Sequence, residues 1–263
     1  LESIRIPGGV EKIDSSAFYR SGIREAILED GIREIGDHAF AFCESLESIV
    51  IPSSVKKIGD SAFYGCEKLT ELQINEGVKE IGAQAFFSIG GLTEIILPDS
   101  VVTVGDGAFS YCENVTKIRI PNNNTSFGVD AFYSCSEEML FEVDAQNAYF
   151  VLVDGILLNK DKTKLIQMPE GAVVMSYTVP EGVVEIGASA FAGCDILRYV
   201  TLPYSLVTIG ENAFAGSGTR TMFIPRGVTN IGVGAFNCRS MYEITVDSGN
   251  PYFTAVDRAL FDK

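Results

Sequence analysis

The sequence contains no tryptophan and a single histidine among its 263 residues. It also has no apolar run of the length, about 20 residues, that a membrane-spanning helix needs. Direct membrane insertion is therefore not expected. Basic residues are scarce, with 20 Lys and Arg against 35 Asp and Glu giving a net charge of -15. Such a chain is repelled by phosphate backbones, which argues against nucleic acid as a partner. No C-x-x-C pair occurs, and one His offers no zinc ligand set, so no metal is expected. Neither a G-x-G-x-x-G nor a Walker loop is present, so no phosphate-bearing cofactor is expected either. What is present, 46% hydrophobic and 21% charged residues, describes a folded protein with a sizeable core.

A repeat dominates the chain. The dipeptide Ala-Phe places its Phe at 18, 40, 63, 86, 109, 132, 191, 214 and 236, at steps of 22, 23, 23, 23, 23, 59, 23 and 22. Four or five residues earlier sits an apolar-Gly pair such as Ile58-Gly59, where a tight corner with positive φ is expected of the Gly. Upstream runs L-x-x-I-x-I-P, as in Leu46 to Pro52 and Leu197 to Pro203. Its alternating apolar pair reads as a short strand that the Pro closes. A unit is then strand, Pro turn, a second extended piece such as Val55 to Ile58, a Gly corner, and a short helical turn such as Asp60 to Cys66 with Asp60 as N-cap. Units this small share a core only when stacked, so a solenoid follows.

The 59-residue step marks a second periodicity. Residues Val143 to Lys160 match Val246 to Lys263 at nine of eighteen positions. Ile156 to Asn159, a charged turn at 160–163, and Lys164 to Met168 read as a β-hairpin, with regular coils resuming near Val174. Because the chain stops inside the second copy, the natural protein is expected to continue. At Asn122 to Asn124 an Asn replaces the usual apolar residue at 124, where a local bulge is expected.

With its signature IPSSVKKIGDSAFYGCEKLTELQI (Ile51 to Ile74) recurring along nearly the whole chain, the sequence resembles the BspA-like, treponemal-type leucine-rich repeats of bacterial surface proteins. The segment DGILLNKDKTKLIQMP, Asp154 to Pro169, is similar to the spacer such proteins carry between repeat blocks. The resemblance implies a right-handed, curved leucine-rich-repeat solenoid of short parallel strands and short helical turns with an inserted β-hairpin. It also implies secretion or display on a bacterial surface, binding to host or neighbouring-cell protein, and no enzymatic activity. The organisation expected is a first repeat block at 1–142, a hairpin-bearing spacer at 143–175, a second block at 176–246 and a truncated spacer copy at 247–263, all one continuous solenoid of about eleven coils.

Individual residues sharpen the functional expectation. Cys43, Cys66, Cys112, Cys135, Cys194 and Cys238 each follow a repeat Phe by two or three positions, and other units put Ser21, Ile89 and Ser217 there. Small or apolar substitutes point to buried free thiols rather than a disulfide ladder. His38 shares its column with Ser, Gln, Gly and Asn, a variable surface position without a nucleophile at a recognisable spacing, so it is not expected to be catalytic. The x positions of L-x-x-I-x-I must face away from the core. Among them Ile27, Val50, Gln73, Ile96, Arg119, Tyr199, Thr201, Phe223 and Tyr242 are the candidate binding residues, because apolar and aromatic anchors dominate protein interfaces. The same β-formers could instead merely support the sheet. The expected partner is an extracellular protein or glycan held on the strand face. The alternative is a structural spacer, or the targeting region of a larger multidomain surface protein.

Overall fold

The computed structural model describes residues 2–123, 126–136, 138–257 and 259–263. The expected bulge at Asn124 lies outside the described residues. The chain forms two compact units, Leu1–Tyr149 and Phe150–Lys263, whose boundary falls inside the spacer read from the sequence.

In the first unit each repeat contributes one long and one short strand. The long strands Ser3–Ile6, Glu25–Leu28, Ser48–Ile51 and Glu71–Ile74 form one parallel sheet, and Glu94–Ile96, Lys117–Ile120 and Leu140–Val143 form another. The period of 22 or 23 residues is the register itself: Arg5 pairs with Ile27, Ile27 with Val50, and Val50 with Gln73. Strict alternation sends Ala26, Leu28, Ile49 and Ile51 inward and leaves Ile27 and Val50 outside. Opposite, the two-residue strands from Lys12–Ile13 to Ser126–Phe127 make a six-stranded parallel sheet. Between the sheets run the repeat phenylalanines. Phe18, Phe40, Phe63, Phe86 and Phe109 stack with ring centroids 4.9 to 5.2 Å apart, and Phe132 follows at 6.0 Å. Each stacked pair adds about 0.5–1.5 kcal/mol beyond its burial.

The expected helical turns are not there: no helix occurs among the described residues. From Gly59 to Cys66 alternate N–H groups donate in two directions. Those of Ala62, Tyr64 and Cys66 close i→i+3 turns onto Gly59, Ser61 and Phe63, while those of Ser61, Phe63 and Gly65 reach carbonyls of the next coil. Alternation of this kind needs left-handed residues, and Ser61 and Gly65 supply them at φ 53° and 69°. The His38 column is therefore a left-handed column, in which Ser16, His38, Ser61, Gln84, Asp130, Ser189 and Asn212 all have φ between 52° and 59°. Asp60 is correspondingly no N-cap, since its Oδ1 accepts from Ala83 N–H of the next coil, 2.8 Å away.

The Gly of the apolar-Gly pair is also explained differently from the expectation. Gly36, Gly59, Gly82 and Gly105 are not in the left-handed region; a Cβ on any of them would stand 2.5 to 2.8 Å from backbone atoms of the preceding coil. Close approach of backbones, not positive φ, excludes a side chain there.

The second unit opens with an antiparallel meander. The hairpin Ile156–Asn159 and Lys164–Gln167 is present, and Phe150–Val153 joins it across the Asp154-Gly155 turn as a third strand that the sequence reading missed. Lys164–Gln167 then pairs parallel with Glu185–Ile186 and passes into the short-strand ladder. Coils resume at Ser176–Thr178, and Phe191, Phe214 and Phe236 stack at 4.8 and 5.8 Å. The second spacer copy forms its own hairpin, Phe253–Val256 with Ala259–Asp262. Asn250 holds this hairpin: its buried Nδ2 donates to Pro225 O and Val228 O, and its Oδ1 accepts from Tyr252 and Phe253 N–H. Asn147, fully buried at the matching position of the first copy, donates to Pro121 O.

Candidate binding face

Because side chains alternate along each long strand, the outward positions fall into rows. In the first unit one row runs Arg5, Ile27, Val50, Gln73, and then, on the second sheet, Ile96, Arg119, Glu142. Beside it runs Ser3, Glu25, Ser48, Glu71, and then Glu94, Lys117, Leu140. Ile27, Val50, Gln73, Ile96 and Arg119 are all exposed, and Ile27, Val50 and Gln73 stand side by side in register. Over Glu25–Leu28, Ser48–Ile51 and the start of the following strands lies an open groove of about 410 Å³, lined by Glu25, Ile27, Val50, Glu71, Gln73 and Glu94 among others.

The groove is acidic on one side and apolar on the other. Glu94 shares Lys117 with Glu142, at 3.8 and 3.5 Å. Arg5 is turned away to Glu29 at 2.9 Å, and Arg24 to Glu47 at 2.7 Å. The Arg5 guanidinium and the Gly8 N–H hold the Glu29 carboxyl below its usual range. These exposed pairs tie neighbouring coils together but contribute little stability. The acidic groups lining the groove, Glu25, Glu71 and Glu94, occupy the middle outward position of L-x-x-I-x-I, which the sequence already puts on the strand face without making them binding candidates. Leu140, 64% exposed in the same row as Lys117, escaped the sequence reading.

In the second unit Tyr199 pairs with both Ser176 and Thr221, Thr201 with Thr178, and Phe223 with Thr245. Tyr199, Thr201 and Phe223 are exposed, so each aromatic ring stands among hydroxyl-bearing neighbours. Tyr242 is exposed as well but lies one residue before the strand Glu243–Val246, its N–H bonded to Arg220 O. It belongs to the row of Arg198 and Arg220, apart from the other two rings.

The remaining candidates have structural places. All six cysteines are free thiols, five of them buried and Cys238 partly so. Cys43, Cys66, Cys112 and Cys135 each donate to the carbonyl of the repeat Phe in the preceding coil, at 3.1 to 3.5 Å. Burial pushes the Cys112 thiol up to about 12 and those of Cys66 and Cys194 still further. His38 is exposed in its left-handed column. Among the described residues no group of three or more His, Cys, Asp or Glu is placed to hold a metal ion, and no helix is long and apolar enough to cross a membrane.

Comparisons with known proteins agree with this architecture. The family described as BspA type leucine-rich repeat region matches in six copies, over residues 1–106, 33–147 and 171–261. A search of curated proteins finds no significant match. Among solved structures, the chain is similar to the pneumococcal vaccine antigen PcpA (27% identity, TM-score 0.69), covering 95% of this chain and 63% of that one. A leucine-rich repeat protein of Eubacterium ventriosum is similar at 27% identity and TM-score 0.75, over 88% of this chain and 65% of its own. A leucine-rich cell surface protein of Faecalibacterium prausnitzii is similar at 25% identity and TM-score 0.66, over 95% and 83%. The chain thus spans less than two thirds of the length of the first two. Nine Ala-Phe repeats, the stacked phenylalanine column and the family match over both units lead to one conclusion: the chain belongs to the BspA-type leucine-rich-repeat family.

Proposed function

We propose that the chain is a secreted or surface-displayed recognition module that binds an extracellular protein or glycan through the outward rows of its long strands. The observation that carries the reading is the set of exposed apolar side chains held in register there. Ile27 and Val50 adjoin the acidic groove, and Tyr199 and Phe223 lie on the second unit. Solvent-facing positions of a sheet that need no apolar residue to fold, yet hold large ones, are suited to contact. Similarity to a vaccine antigen and to a cell surface protein supports an extracellular location for this chain. It acts by many weak contacts and carries out no chemistry.

The test is a binding screen against immobilised extracellular-matrix and plasma proteins and glycans, using the chain and a variant with Tyr199→Ser and Phe223→Ser. Binding that the variant loses supports recognition through the strand face. Uniformly negative binding by well-folded protein refutes it and favours the spacer reading, which the Thr- and Ser-rich rows of the second unit would suit. A reproducible hydrolase activity abolished by His38→Ala would overturn the non-catalytic assignment.

A further inference from the structure

A second ordered surface lies away from the strand face, on the turns that follow the repeat Phe. In the first unit each of six coils places one aromatic ring there: Tyr19, Phe42, Tyr64, Phe87, Tyr111 and Tyr133, with consecutive centroids 4.7 to 5.7 Å apart. Tyr19 and Tyr111 are exposed and the other four half-buried. The rings do not all come from the same position. Where the residue after the repeat Phe is Ala41 or Ser110, the next one, Phe42 or Tyr111, supplies the ring instead. Those two residues sit in the left-handed region at φ 58° and 59°, where a bulky side chain costs stability. The sequence therefore keeps one ring per coil even at strained positions.

Solenoid packing does not require these rings. The corresponding residues of the second unit are Ala192-Gly193, Ala215-Gly216 and Asn237-Cys238, and its inner phenylalanines stack without them. The geometry also shows what the ladder accepts. Only Tyr64 and Phe87 lie flat on one another, at 3°; the other four steps are tilted or edge-on by 43° to 86°, which leaves parts of ring faces open. In the first step the chain's own Arg20 guanidinium lies 5.4 Å from both the Tyr19 and Phe42 centroids. Two or three residues beyond the rings stand exposed Glu44, Glu67 and Glu113, none in an ion pair among the described residues, and no cation occupies those positions.

We propose that this aromatic ladder, flanked by carboxylates, docks an arginine-rich segment of a partner protein, with guanidinium groups entering the tilted steps as Arg20 does. Guanidinium is planar, weakly hydrated and attracted to ring faces, so it suits such a step better than an ammonium. The ladder is distinct from the strand face, so this inference stands apart from the proposed function.

The test uses the whole chain and a fluorophore-labelled synthetic peptide alternating arginine and serine, read by anisotropy at low salt. The same peptide with citrulline for arginine, neutral and of the same shape, is expected to bind about tenfold more weakly, and the lysine peptide to fall between. A Phe87→Leu/Tyr111→Leu protein, shown to be folded by its circular dichroism, is expected to lose about tenfold in affinity, while Ile27→Ser/Val50→Ser leaves it unchanged. Arg20→Ser opens the occupied step and is expected to tighten binding by more than Arg33→Ser, which changes the net charge equally; a merely structural ladder would show no such difference. Equal binding of the citrulline peptide, undiminished binding by the folded ladder variant, loss through the strand-face variant, or no binding at all would overturn the proposal.

Discussion

Substituting Gly59 tests how the coils stack. A Cβ at this position would lie 2.7 Å from Asp37 N, 2.8 Å from Gly36 C and 2.5 Å from Asp37 Oδ1. Two of these are backbone atoms that no rotamer change can clear. Gly59→Ala must therefore push two coils apart by roughly half an ångström, a gap that forfeits about a quarter of the dispersion well for each facing atom pair. The displaced interface includes the Gly59 N–H bond to Ile35 O at 2.8 Å and the Phe40–Phe63 stack at 5.2 Å. Overpacking costs about 1–3 kcal/mol, and rigid opposing atoms put this site near the upper end. Gly59→Asn discriminates between causes: Asn tolerates positive φ better than Ala, so it would be the milder change if φ were the reason for Gly, and it is at least as harmful if the Cβ is. Gly65 is the control, since it has φ 69° and a Cβ there meets only the Phe42 ring, at 3.0 Å. Gly65→Asn should cost under about 1 kcal/mol. Urea unfolding monitored by circular dichroism and tyrosine fluorescence reads all three. A Gly59→Ala protein within about 0.5 kcal/mol of the parent, or one less stable than Gly59→Asn, would refute the close-approach reasoning.

Four further outcomes are expected. Asn250→Ala removes partners from two buried carbonyls and two N–H groups, so it should cost about 3 kcal/mol or more and speed hydrogen exchange at Tyr252 and Phe253; unchanged exchange there would contradict the staple role. A thiol reagent at about pH 8 should modify Cys238 well before the five buried thiols, as peptide mapping would show. Because folding raises the Cys112 thiol from 9.0 to about 12, the folded state keeps a proton the unfolded chain loses, so stability holds below pH 9 and declines above it by up to about 1.4 kcal/mol per pH unit; Cys112→Ala should flatten that decline. His38→Gly relieves a left-handed residue and should raise stability by about 1 kcal/mol, and an unfolding midpoint that falls instead would count against the strain assigned to that column.

Much of the architecture was legible because a solenoid writes its register into its period. A step of 23 residues between Phe40 and Phe63 is also the step that pairs Ile27 with Val50 and Ile35 with Ile58. Columns of side chains could therefore be assigned inside or outside by composition alone. The turns were harder to read. Asp60 to Cys66 has the composition of a capped helical turn, and only the backbone shows that Ser61 and Gly65 are left-handed, each coil passing its N–H groups to the next. The signal was there: Ser, His, Gln, Asp, Asn and Gly, without one β-branched residue, fill that column. The strand Phe150–Val153 was hidden because its partner lies across the turn at Asp154-Gly155, outside the repeat. The aromatic ladder was missed because its rings alternate between two sequence positions, so no single column displays it. Exposed rows were predictable in register, Glu25, Glu71 and Glu94 among them, and only the groove that this acidic row lines had to come from the structure.

Recognition through the outward rows of the long strands can be read from the dissociation constant of an extracellular ligand captured in the screen. It would be measured for the parent chain, for Ile27→Ser/Val50→Ser and for Tyr199→Ser/Phe223→Ser, with circular dichroism confirming the fold of each. A loss of about tenfold or more is expected in at least one strand-face variant, the cost of truncating a contact anchor. Unchanged affinity in both would contradict it.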